Sequence, residues 1–123
     1  PAPAQAGVAV SAITTHVLDT ARGRPAGGVP ITLARREPAG GYVPLGQGQT
    51  DADGRLRTLR PAGEPLAPGV YRLTFDTAAY FQAHGTTGFY PEVTVTFEIT
   101  AAGEHYHVPL LLSPYGFSTY RGS

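Results

Sequence analysis

The sequence predicts an all-β domain, an eight-stranded antiparallel β-sandwich interrupted by one short helix. Two observations carry this. Val93, Val95, Phe97 and Ile99 alternate with Thr94, Thr96, Glu98 and Thr100, the two-residue period of a strand with one buried and one wet face. Comparable short runs recur along the chain and are separated by Gly- and Pro-rich punctuation rather than by long helical stretches.

The first run, residues 8–18, is of modest hydrophobicity; it sets His16 on one face with Thr14 and Leu18, with Ile13, Thr15 and Val17 between them. Runs at 29–36 and 42–46 follow. Before the next, 55–59, Asp51-Ala52-Asp53-Gly54 supplies Asx-type acceptors and a glycine able to take positive φ, as a tight connection between strands requires. Residues 70–75 lead into the helix. Residues 77–84 read Thr-Ala-Ala-Tyr-Phe-Gln-Ala-His, with Asp76 or Thr77 to cap the start and Gly85 to end it. The alternating strand 93–99 comes next. In 106–112, Tyr106, Val108, Leu110 and Leu112 share one parity and belong to the core, which turns His105 and His107 to the opposite face. Residues 117–121 complete the eight.

At 123 residues and 41% hydrophobic content the chain supports a single core, expected over residues 9–123 behind a small-residue, flexible tail at 1–8. Formal net charge is zero, and the nine basic residues are all arginines, scattered rather than clustered. No stripe of positive charge is available to track a phosphate backbone, so nucleic acid is not an expected partner. Cysteine and methionine are absent, which removes disulfides, thiolate nucleophiles and Cys-based metal sites. No run approaches the roughly 20 apolar residues of a membrane span, so no membrane association is expected. The start, Pro1-Ala2-Pro3-Ala4-Gln5-Ala6-Gly7, lacks the basic and apolar regions of a signal peptide. A cytoplasmic location is the default expectation, and a leader cleaved before Pro1 would leave the same record.

The segment His105-Tyr106-His107-Val108-Pro109-Leu110-Leu111-Leu112-Ser113-Pro114 and the final Tyr120-Arg121-Gly122-Ser123 closely resemble the C-terminus of the 5-hydroxyisourate hydrolases, the transthyretin-like enzymes of urate breakdown. Ile13-Thr14-Thr15-His16-Val17-Leu18-Asp19-Thr20, with Gly23 and Pro25-Ala26, is similar to the family's opening strand and loop. Thr50-Asp51-Ala52-Asp53-Gly54-Arg55 is similar to its central Thr-x-x-Asp-Gly-Arg turn. The resemblance implies a sandwich of transthyretin type with one helix. It also implies hydrolytic ring opening of 5-hydroxyisourate to 2-oxo-4-hydroxy-4-carboxy-5-ureidoimidazoline, with no metal and no cofactor.

A lone histidine in a strand is more often a packed or surface residue than a catalyst. His84 reads as a helix-end residue favoured by the helix dipole. His105 and His107 form an outward pair that, with His16, could make a three-imidazole zinc site; no carboxylate is obviously placed to orient those rings. Taken alone, His16 reads as an edge histidine bonded to a threonine, and Arg55 as a solvated arginine after a glycine turn. The matching motifs assign His16, Arg55, His107 and Ser123 to catalysis, and His16, Arg55 and Tyr120 to substrate binding.

Water must attack a ring carbonyl, so a base and an oxyanion stabiliser are needed. His107 or His16 serves as the base, because imidazole titrates near neutral pH. Arg55 offers paired planar donors to carbonyl oxygens; Tyr120 and Ser123 position ring heteroatoms or the water; Arg121 anchors the tail. The resemblance further implies a homotetramer with sites at the interface between dimers. Two rivals share the fold: a transthyretin-type carrier of a small hydrophobic ligand, and a structural or adhesion module. Carriers lack both the Tyr-Arg-Gly-Ser ending and the His/Arg/His set.

Overall fold

A computed structural model of the chain describes residues 11–123. The expected tail at 1–8 and the start of the first strand lie outside them. The strands are β1 (Ile13–Asp19), β2 (Arg24–Pro25), β3 (Pro30–Arg36), β4 (Tyr42–Gln49), β5 (Arg55–Leu56), β6 (Gly69–Phe75), β7 (Val93–Ile99), β8 (Tyr106–Ser113) and β9 (Gly116–Thr119), with helix α1 (Thr77–Ala83) between β6 and β7. One sheet runs β2-β1-β8-β9, with β5 also paired to β1; the other runs β4-β3-β6-β7. Among the described residues no helix is long and apolar enough to cross a membrane.

Alternation builds the core. In β1, Ile13, Thr15 and Val17 are fully buried, and in β8 Tyr106, Val108, Leu110 and Leu112 turn inward. Tyr71, Leu73 and Phe75 of β6 and Ile31 and Leu33 of β3 meet them from the other sheet. Each fully buried Leu, Ile or Phe contributes roughly 1.5–3 kcal/mol of apolar burial. The helix follows its expected start: the Asp76 carboxylate accepts from the Ala79 N–H at 3.0 Å, and Tyr80 and Phe81 face the core.

The eight expected strands are all present, but the run expected at 55–59 keeps only Arg55–Leu56 and that expected at 117–121 is Gly116–Thr119; three further features differ. The sandwich is not wholly antiparallel: β1 and β8 pair in parallel from Ile13↔Tyr106 to Asp19↔Leu112. They are joined through almost the whole chain, so no hairpin forces them antiparallel. A ninth strand, β2, spans only two residues, too short to leave a periodic signal. β4 runs to Gln49 rather than ending at residue 46, carried through Gly46 and Gly48 by its ladder to β3.

Candidate active site

Strand register lays the expected site residues in two lateral rows on the outer face of the β1/β8 sheet. In the first, Arg55 stands opposite His16 and His16 opposite Pro109. Continuing the β8–β9 register, in which Leu110 faces Thr119, sets Tyr120 opposite Pro109. Strands lie about 4.8 Å apart, so this row spans about 14 Å. In the second row Thr14 stands opposite His107, and His107 pairs with Gly122 across an isolated bridge. Residues of like parity share a face, and the alternate residues of β1 and β8 fill the core, so both rows point away from it.

The turn before β5 fixes Arg55 and His16 together. The Asp51 carboxylate accepts from the N–H groups of Asp53 at 2.9 Å and Arg55 at 3.0 Å. The Arg55 N–H bond in particular holds the Asp51 carboxyl below its ordinary range. Gly54 takes φ 78°, and its carbonyl receives the Val17 N–H at 2.7 Å, so the turn lies directly against β1. His16 completes the clamp: its Nε2 lies 2.8 Å from the Asp53 carbonyl oxygen. A carbonyl only accepts, so Nε2 carries the hydrogen and the neutral ring keeps its lone pair on Nδ1.

Thr14 is the site residue that sequence reasoning passed over. Its hydroxyl lies 2.8 Å from His107 Nδ1 and 3.0 Å from His105 Nε2, and the two imidazoles leave Thr14 only 5% exposed despite its outward parity. Its one signal is that it shares parity with His16; that it faces the two histidines depends on the parallel pairing of β1 with β8.

The terminus is docked. The Gly122 N–H donates to the His107 carbonyl at 2.8 Å. Arg121 bonds Glu104 at 3.1 Å and covers the Tyr106 ring at 4.5 Å, anchoring the tail as expected. Tyr120 is 57% exposed, and Ser123 is exposed one residue beyond the His107–Gly122 bridge. A cleft of about 420 Å³ bordered by Val95, Phe97, Tyr106 and Val108 opens between the sheets and is also lined by Tyr120 and Arg121 of the tail. His84 caps α1 and sits 2.8 Å from an Arg22 guanidinium nitrogen, a structural role.

The site's electrostatics centre on His107. Burial first, then the charge of Arg55 and the neighbouring His105 and His16, hold its pKa below the ordinary histidine value. The uncharged form of its ring is therefore favoured. Nδ1 is engaged by Thr14, and among the described residues Nε2 has no hydrogen-bond partner. Among the described residues no group of three or more His, Cys, Asp or Glu is arranged to hold a metal ion.

The chain is similar over most of its length to known proteins. A 5-hydroxyisourate hydrolase of Salmonella typhi is 48% identical over 123 residues, covering 99% of this chain and 89% of that protein. The structure of the Klebsiella pneumoniae 5-hydroxyisourate hydrolase matches with TM-score 0.79 at 37% identity, over 90% of this chain and 97% of that one. Sea bream transthyretin in complex with thyroxine matches with TM-score 0.83 at 34% identity, over 89% and 93%. Backbone similarity thus does not separate enzyme from carrier, whereas the side chains on the outer face do bear on the choice. Residues 13–122 match the HIUase/Transthyretin family, and the chain belongs to it.

Proposed function

We propose that the chain hydrolyses 5-hydroxyisourate, with His107 as the general base and Arg55 as the group that meets the developing oxyanion. The activity is that of its relatives from Salmonella typhi to Mus musculus, the latter 46% identical over 92% of this chain. The reading rests chiefly on one observation: His107 lies on the same outer face as His16 and Arg55, with the Tyr-Arg-Gly-Ser tail seated against it.

Water attacks a ring carbonyl carbon. Its proton passes to His107 Nε2 as the new C–O bond forms, and the guanidinium of Arg55 stabilises the negative charge arriving on the carbonyl oxygen. Collapse breaks the ring C–N bond, and the same proton returns to the departing nitrogen, giving a carboxyl group and an N–H. His16 also keeps a lone pair, on Nδ1; His107 is favoured as the base because burial and the charge of Arg55 hold its ring in the basic form. His16 is left to orient substrate through Nδ1. Tyr120 and Ser123, at the rim, contact ring heteroatoms or the water. The residues named require no cofactor.

The outer face of one sheet is a wall rather than a pocket, and ligand sites are concave. A facing copy of the chain supplies the opposite wall in a homotetramer, the assembly this reading takes, in the cytoplasm. Exposed Phe89 (67%) and Tyr115 (73%) support association through the β8–β9 end.

The deciding experiment follows the ultraviolet absorbance of freshly generated 5-hydroxyisourate, which decays on its own. The wild-type protein accelerates the decay, and His107→Asn loses roughly 10²–10⁴-fold of that acceleration while remaining folded. A wild-type protein that binds the compound without speeding its loss is a carrier.

A further inference from the structure

Two imidazole nitrogens meet at one hydroxyl: His107 Nδ1 at 2.8 Å and His105 Nε2 at 3.0 Å from Thr14 Oγ1. A threonine hydroxyl has a single proton to donate, so it can satisfy only one of these nitrogens as a donor; the other must donate to it. With the hydroxyl proton directed at one of the two rings, the triad has two arrangements with neutral rings. In one, His107 Nδ1–H donates to Thr14 and Thr14 donates to His105 Nε2, which leaves the lone pair of His107 on Nε2. In the other, every bond is reversed, and His107 carries its hydrogen on Nε2.

We propose that Thr14 is a positioning residue that couples His105 to His107 as a proton relay for the hydrolytic site. The proposal rests on the assignment of His107 as the base. As the O–H of water breaks and N–H forms at His107 Nε2, the N–H at Nδ1 breaks and its proton passes to Thr14 Oγ1. The original hydroxyl proton of Thr14 then bonds to His105 Nε2. No proton is lost, and the positive charge ends on His105. Reversal of the same three transfers delivers the proton from His107 Nε2 to the departing ring nitrogen.

The surroundings favour this direction. Positive charge on His107 is opposed by burial, by Arg55, by His105 and by His16, whereas His105 is solvent-exposed, next to the Glu104 carboxylate that pairs with Arg121. Thr14 is 5% exposed, so no bulk water competes for its hydroxyl. The relay gives the half-buried base a route to move charge outward.

Steady-state kinetics on five variants test it. Thr14→Val keeps the branched shape and removes the hydroxyl; kcat should fall about tenfold or more, with KM changed less than about twofold, a smaller loss than removal of the base itself. Thr14→Ser should restore kcat to within about threefold of wild type, since the hydroxyl and not the methyl carries the effect. His105→Asn should fall comparably and regain turnover with added imidazole, and combining it with Thr14→Val should cost no more than either change alone. Wild-type kcat in Thr14→Val, Thr14→Ser as impaired as Thr14→Val, or additive losses would overturn the relay. His107→Asn separates the two claims. If it abolishes turnover while Thr14→Val does not, the base stands and the relay fails; if it turns over at the wild-type rate, the base assignment has failed.

Discussion

Gly122 packs against the ring of His107 so closely that a Cβ at that position would stand 2.6 Å from His107 Cδ2. The same glycine donates its N–H to the His107 carbonyl at 2.8 Å. The terminal motif thus does more than carry side chains to the rim: its glycine leaves space for the imidazole while its backbone holds β8. Between Thr14 on one side and Gly122 on the other, His107 has little freedom to rotate.

Gly122→Ala tests that fit. The backbone at Gly122 is not in the left-handed region, so the added methyl acts through its neighbours, chiefly the His107 ring and then Pro109 Cγ at 3.3 Å. We expect kcat to drop by about tenfold or more as the ring leaves its near-attack position, with a melting temperature close to wild type. Wild-type kcat in the alanine variant would show that ring placement is not limiting.

The pH dependence follows from the sign of the His107 shift. Its pKa lies below the ordinary histidine value, so the basic form is already present at neutral pH and is lost only on further acidification. The value of kcat/KM should be flat through neutrality and fall along a single acid limb with a midpoint below about 6.5. Arg55→Met removes a charge that opposes protonation and should move that midpoint upward, even at reduced activity. A midpoint that stays put or moves down would contradict the coupling of Arg55 to His107.

Much of the fold could be read from local pattern: the alternation of Val93–Ile99, the inward parity of Tyr106 to Leu112, and the Asp76 cap with Gly85 beyond the helix. These signals are set by neighbours within a few residues. The parallel pairing of β1 with β8 is not of this kind, because residues about 93 apart choose their partners through the finished core. Thr14 was hidden for the same reason. Its opposition to His107 is a matter of register, and a one-residue slip would have turned it inward. His16, Arg55, His107 and Tyr120 were legible through motifs, yet their division into two rows, and the commitment of His16 Nε2 to Asp53, required the register and the turn.

Gly54→Ala should damage stability and site together. Its φ of 78° is strained for alanine, and a Cβ would press on the Val17 carbonyl oxygen. Strain of this kind costs on the order of 1–3 kcal/mol. Because Gly54 lies between Asp53, which holds His16, and Arg55, the variant should lose activity at temperatures where it is still folded by circular dichroism. Full activity up to its own melting point would show that the turn does not place the site.

Deleting Tyr120 to Ser123 removes the rim while leaving the core strands whole. What the fold loses is modest: a Gly122–His107 hydrogen bond of about 0.5–1.5 kcal/mol, an exposed Arg121–Glu104 pair of at most about 1 kcal/mol and the cover of Arg121 over the Tyr106 ring, about 0.5–1 kcal/mol at an exposed site. The protein should stay folded and assembled by light scattering, yet activity should fall by orders of magnitude, because His107 loses the wall that confines it as well as the Tyr120 and Ser123 hydroxyls. Arg55→Lys is the companion variant. It keeps the charge and discards the planar fork, so it should retain the low pKa of His107, with an acid limb close to wild type, while losing most of kcat. The two variants thus separate positioning of the base from stabilisation of the oxyanion, and a truncated protein turning over at the full rate would remove the terminus from the mechanism altogether.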